Sequence, residues 1–121
     1  MRLGSPIPIL RTFDEAKARK FHDDFLGFTI DLEHRFAPEL PLYCQVSRSA
    51  CLLHLSWHHG DATPGSALRI EVEALDEVQA ELTAKNYRYG RPGIEQQRWG
   101  RDMSISDPFG NRLIFSELSG T

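Results

Sequence analysis

One order of elements can be read twice along the chain, and that repetition constrains the fold more than any single motif. The first pass opens at "PIPILR", where Ile7 to Arg11 reads as a short strand. A helix follows, with Thr12 and Glu15 spaced as a capping box. Ala18, Phe21 and Phe25 form one apolar stripe at helical spacing, and Gly27 stops the helix. Strands are then expected at Thr29–His34, Leu42–Ser47 and Cys51–Trp57, the last two joined by the polar turn "VSRSA". The segment "HHGDATPGS" breaks the pattern with Gly60, Pro64 and Gly65. The second pass begins with "ALRIEVE", where Leu68, Ile70 and Val72 alternate with Arg69, Glu71 and Glu73. A helix over "LDEVQAELTAK" carries Leu75, Val78 and Leu82 on one stripe and acids in its first turn. Strands are expected around Tyr89–Gln97, Asp102–Ser106 and Arg112–Leu118, the last pair joined by the type I turn "DPFGN". Leu10-Arg11 and Leu68-Arg69 are matching points, 68 − 10 = 58 residues apart. The reading is an α+β chain of two β-α-β-β-β modules, about 5–59 and 66–118, in a single domain.

Totals narrow the function classes. The 121 residues are enough to bury a core without staples. A formal net charge of −3 argues against a dedicated nucleic-acid binder, which needs a basic face. No run of 18 apolar residues occurs, so no membrane span is expected. "MRLGSPIPIL" lacks the apolar core of a signal peptide, which makes the cytoplasm the expected compartment. There, Cys44 and Cys51 read as buried reduced thiols rather than a disulfide.

The stretch "LLHLSWHHG" holds three of the five histidines. On a strand, residues rise ~3.3 Å each, so His54 and His58 stand ~13 Å apart. Two ligands of one zinc ion must each lie about 2 Å from it. His58 and His59 read as exposed loop residues, which leaves His54 alone on a strand face with Leu52 and Ser56.

The doubled β-α-β-β-β order resembles the vicinal oxygen chelate superfamily, which includes glyoxalase I, extradiol dioxygenases and bleomycin resistance proteins. "LRTFDEAKARKFHDDFLGF" is similar to the superfamily's first strand and helix. "QQRWGRDMSISDPFGNRLIF" resembles the bleomycin-resistance branch, with its Gln-Pro-Trp-Gly segment followed by Asp-Pro-x-Gly-Asn; Arg98 replaces the Pro. The resemblance implies a cupped mixed sheet with helices outside. It also implies a homodimer whose clefts bind a drug unchanged between aromatic side chains.

The superfamily's enzymes hold a divalent metal with His and Glu from four strands. The matching positions here fall on Ile7, His54, Ala67 (or Ser66) and Ile114, so only His54 is a competent ligand. No metal and no other cofactor is expected. By strand parity, the lining includes Tyr43, Gln45, His54, Ser56, Arg69, Glu71 and Arg112, with Ile7, Ile9 and Ile114. These residues suit a dimer interface as well as a ligand. Trp57, Trp99, Tyr43 and Phe36 sit at strand ends or loops where a flat ligand can stack, and Trp99 matches the branch's motif tryptophan. Phe21, Phe25, Phe28 and Phe115 read as core.

The leading expectation is a dimeric protein that sequesters a basic, aromatic-bearing antibiotic such as bleomycin. The candidate ligand-binding residues are Phe36, Tyr43, His54, Ser56, Trp57, Arg69, Trp99 and Arg112, with no catalytic residue. The alternatives are a glyoxalase- or dioxygenase-like metalloenzyme with an atypical ligand set including His54, and an interaction module with no drug role.

Overall fold

The computed structural model describes residues 1–87 and 92–119. The first half runs β1 (Ile9–Arg11), α1 (Glu15–Arg19) with a π-helical continuation over Lys20–Phe25, β2 (Thr29–His34), β3 (Tyr43–Arg48) and β4 (Cys51–Ser56). The second runs β5 (Ala67–Glu71), α2 (Leu75–Ala84), β6 (Ile94–Gln97), β7 (Gly100–Ser106) and β8 (Arg112–Leu118). Tyr89, the expected start of β6, lies outside the described residues. Each half makes a four-stranded mixed sheet, ordered β1-β4-β3-β2 and β5-β8-β7-β6. The chain is therefore α+β, with two sheets of the same topology.

The 58-residue offset holds at the level of hydrogen-bonded register. β1 pairs parallel with β4 through Ile9 and His54; β5 pairs parallel with β8 through Ala67 and Arg112. Here 67 − 9 = 58 and 112 − 54 = 58.

Several boundaries differ from expectation, each for a local reason. β1 starts at Ile9, because Pro6 and Pro8 have no N–H to give a ladder; the Pro8 carbonyl still accepts from His54 N at 2.9 Å. The cap of α1 is Asp14, whose Oδ1 accepts from Lys17 N at 2.9 Å. Thr12 is not the cap: it is buried and its hydroxyl donates to the Ser56 carbonyl at 3.3 Å. β4 ends at Ser56, although Trp57 N still donates to the Leu42 carbonyl at 3.0 Å, one step beyond the Tyr43–Ser56 pair. β2 carries a bulge between Ile30 and Leu32 that breaks simple alternation.

The core draws on both halves. Phe21, Phe25 and Phe28 follow α1 into it, Leu75 and Leu82 enter from α2, and Leu10, Val46, Leu53, Met103, Leu113 and Phe115 come from the strands. The halves are also tied by polar contacts. The Arg48 guanidinium donates to both Glu81 oxygens at 2.8 Å and to the Leu26 carbonyl at 2.8 Å. Hydrogen bonds from Arg48 hold the Glu81 carboxyl below its ordinary range. Asn111, fully buried, donates to the Arg11 carbonyl and to Asp107 at 2.8 Å each, and accepts from Ser66 N at 3.1 Å. In the "DPFGN" turn, Asp107 Oδ1 accepts from Phe109 N and Asn111 N, and Gly110 takes the positive φ of +88° that such a turn asks of it. Both cysteines are free; Cys44 is buried, as expected, whereas Cys51 is only half-buried. Among the described residues, no helix is long and apolar enough to cross a membrane.

Candidate ligand-binding faces

Each sheet packs one face on the core and leaves the other uncovered by a helix. Strand alternation puts Leu10, Cys44, Val46, Leu53 and Leu55 of the first sheet inward and buried. The opposite parity brings Tyr43, Gln45 and His54 together on the open face, since Gln45 lies directly across from His54. Tyr43 Oη is 2.7 Å from His54 Nδ1, and His54 Nε2 is 3.1 Å from Gln45 Oε1. Gln45 Nε2 donates to Asp31 Oδ2 at 3.1 Å, and Ser47 Oγ to Asp31 Oδ1 at 3.0 Å. Asp31 reaches this face because the bulge places it between residues paired with Val46 and Gln45. Partial burial first, then the Asp61 charge and Cys44, pushes the Tyr43 phenol above its ordinary pKa.

The open face of the second sheet is built around Asp102. This carboxylate is 7% exposed and accepts three hydrogen bonds: from Arg69 Nη1 at 3.0 Å, Trp99 Nε1 at 3.1 Å and Ser116 Oγ at 2.8 Å. Burial pushes its pKa up, but the bonds from Trp99, Ser116 and Arg69, with the Arg69 charge, bring it below the usual carboxylate range. The Arg69 guanidinium lies 4.9 Å from the Trp99 ring centre, a cation–π contact. Trp99 remains 45% exposed. It is an aromatic plate fixed at its N–H edge and by Arg69 at the ring. Asp102 was missed in the sequence, where it is one carboxylate in "WGRDMS"; its signal is the polar alternation Asp102, Ser104, Ser106 along one strand face.

The remaining predicted residues do not join these clusters. Ser56 is completely buried and its hydroxyl donates to Asp61 Oδ2 at 2.6 Å, so it is not presented to a ligand. Trp57 has the parity of Leu55 rather than of His54, and packs against the core beside Ala18, His22, Leu42 and Cys44. The expectation of a cup-rim Trp57 is thereby corrected. Phe36 is 83% exposed, edge-on to His34 at 4.6 Å, and His34 is paired with Tyr43. Arg112 is exposed at the start of β8, across from Ala67. Glu33 faces α1, ion-paired with Arg19, and lines no open face. His58 and His59 are exposed and stacked on each other, with ring centres 4.8 Å apart.

A groove of about 580 Å³ lies elsewhere, between the β3–β4 turn and α2, lined by Phe28, Arg48, Cys51, Ile70, Val72, Val78, Glu77 and Phe115 among others. It contains none of the eight predicted residues. Both of its aromatic side chains, Phe28 and Phe115, are buried, so it presents no free ring for stacking.

The residues do not fit a superfamily-type metal centre. Ile7, Ala67 and Ile114 offer no donor, and both ring nitrogens of His54 are already engaged by Tyr43 and Gln45. Among the described residues, no group of three or more His, Cys, Asp or Glu could hold a metal ion.

The sequence matches the family model described as "Glyoxalase superfamily protein" over residues 2–120. No curated protein matches it. Solved structures with the same fold include a bleomycin-binding protein from Streptomyces verticillus in complex with copper(II)-bleomycin, 23% identical, with a TM-score of 0.75 over 98% of this chain and 99% of that one. A bleomycin resistance determinant encoded on transposon Tn5 is 19% identical, with a TM-score of 0.75 over 98% and 100% of the two chains. A member of the glyoxalase/bleomycin resistance protein/dioxygenase superfamily from Sphaerobacter thermophilus is 21% identical, with a TM-score of 0.71 over 95% and 98%.

Proposed function

Because the chain belongs to the glyoxalase superfamily, we propose that it is a homodimeric, cytoplasmic binding protein that sequesters a basic, aromatic-bearing small molecule of the bleomycin kind without changing it. The observation that carries this reading is the Arg69–Trp99–Asp102 cluster: a half-exposed tryptophan held in place before any ligand arrives. A preset ring loses little freedom on binding, which favours stacking affinity. Tyr43, His54, Phe36 and Arg112 complete the proposed contacts; Ser56 and Trp57 are left out, since one is buried and the other faces the core. The solved structures described as bleomycin-binding support the ligand class.

Modules at about 5–59 and 66–118 form the proposed single domain. Exposed Ile9, Leu32, Phe36 and Leu52, on or beside the open face of the first sheet, suit contact with a second copy. The mechanism is mass action: bound drug is withheld from its target, and the complex gains stability as RT ln(1 + [L]/Kd). Isothermal calorimetry with bleomycin, followed by mass spectrometry of the released drug, tests the proposal. Saturable heat and recovery of unaltered drug are expected; drug recovered with a new mass contradicts a non-catalytic role.

A further inference from the structure

With the His54 imidazole neutral, the hydrogen bonds on the open face of the first sheet have one consistent direction, and it starts at Asp31. Both Asp31 oxygens are used, one by Gln45 at 3.1 Å and one by Ser47 at 3.0 Å. A carboxylate only accepts, so Gln45 must turn its NH₂ towards Asp31 and its carbonyl oxygen towards His54. That oxygen also only accepts, so the proton of the neutral imidazole sits on Nε2, 3.1 Å away. Nδ1 is then a bare acceptor, and Tyr43 Oη at 2.7 Å must donate to it.

From this we infer that Tyr43 recognises N–H donors of the ligand, ammonium or amidinium groups, through a phenol oxygen whose own proton is committed to His54. Tyr43 is half-exposed, which leaves a lone pair within reach of a ligand. The phenol also keeps its proton, since its surroundings raise its pKa. At the Tyr43 hydroxyl itself, a ligand carboxylate or carbonyl meets no free donor. The β2 bulge is the origin of the selectivity, because it delivers Asp31 to Gln45. The inference rests on the reading of this face as part of a ligand site and adds the donor class that it reads.

Two measurements test it without knowledge of the physiological ligand. The first is imidazole ¹⁵N NMR at pH 8, above the ordinary histidine range. His54 is expected to show a protonated Nε2 and a bare Nδ1, and the Asp31→Asn variant a loss of that single tautomer. A proton on Nδ1 in the parent protein overturns the inference. The second is a titration of labelled protein with benzamidine and, separately, benzoate, rings of like shape and opposite polarity. Benzamidine is expected to shift the backbone signals of Tyr43, Gln45 and His54, with roughly tenfold weaker binding in Tyr43→Phe, the usual scale for losing a hydrogen bond to a charged group. Benzoate is expected to leave them in place. Equal response to both rings, response to neither, or unchanged affinity in Tyr43→Phe overturns it. If benzamidine behaves as expected and bleomycin does not bind, the proposed drug fails and the donor selectivity stands. If bleomycin binds and the Nδ1–H tautomer is found, the reverse holds.

Discussion

His22 offers the most quantitative test of how this fold is held. It lies on the π-helical turn after α1, is 1% exposed, and both ring nitrogens lack a hydrogen-bond partner. Burial lowers its pKa from 6.5 to about 4. The folded protein therefore holds a neutral imidazole where the unfolded chain binds a proton. A base whose folded pKa is depressed adds nothing to acid stability: the unfolded state gains protons first, and stability falls as pH drops from about 6.5 towards 4. At pH 4.5 that loss comes to about 2 kcal/mol relative to pH 7, from 1.36 kcal/mol per pKa unit. His22→Leu removes the titrating group and the two unpaired nitrogens, and fills similar space. It is expected to stabilise the protein by about 1 kcal/mol at pH 7, because an unsatisfied buried polar group costs about 1–3 kcal/mol. The advantage should widen to about 3 kcal/mol at pH 4.5. Urea unfolding of both proteins at the two pH values reads this directly, and the carboxylates that also titrate in acid cancel in the comparison. Parallel pH profiles for the two proteins would refute the account of His22 as a buried, unpartnered base.

Three further perturbations probe the site and its frame. Asp102→Asn keeps the shape but sets an amide NH₂ against one of three donors; a loss of about 2 kcal/mol, or about 8 °C in Tm, is expected, with greater mobility of Trp99 by fluorescence anisotropy. The parent Asp102 carboxyl, held low in the fold, stabilises it above about pH 4 and ceases to do so as pH falls further, and thermal melts of the Asn variant should lack that acid-side component. Gly100→Ala places a Cβ 2.0 Å from the Glu117 carbonyl oxygen at a φ of +145°, so a loss of about 3 kcal/mol or an insoluble product is expected, and near-parental urea stability would contradict the close packing of β7 on β8. Metal analysis of gently purified protein is expected to find no stoichiometric Ni, Zn, Fe or Mn; a tightly held metal lost in His54→Ala would restore the metalloenzyme alternative.

The order of elements was legible because each depends on local chemistry. β2 and β8 fall where β-rich runs between turn residues place them, and the 58-residue spacing of Leu10-Arg11 and Leu68-Arg69 survives as strand register. What was hidden depends on contacts between elements. The β2 bulge leaves no mark in "TIDLEH", yet it decides that Asp31, and not Glu33, reaches Gln45. The capping box of Thr12 and Glu15 was a sound local pattern, overridden because Thr12 is drawn to the Ser56 carbonyl and Asp14 takes the cap. Parity placed Tyr43, Gln45 and His54 together correctly, but it said nothing of Ser56 being consumed by Asp61. The strand-end position of Trp57 suggests a rim, whereas its parity matches that of buried Leu55. His22 stands at the i+4 place of the Ala18–Phe21–Phe25 stripe, so helical spacing alone turns it inward; what the spacing hides is that neither ring nitrogen finds a partner there.

On the proposed function, Trp99, held by Asp102 and Arg69, forms one wall of a drug-binding face. Tryptophan fluorescence during a bleomycin titration addresses it most directly. The chain has two tryptophans: Trp99 stands 45% exposed on the proposed face, and Trp57 packs against the core with its N–H buried. Saturable quenching is expected in the parent protein, lost in Trp99→Phe, where only Trp57 reports. Undiminished quenching in Trp99→Phe, or none in the parent at high micromolar drug, would contradict it.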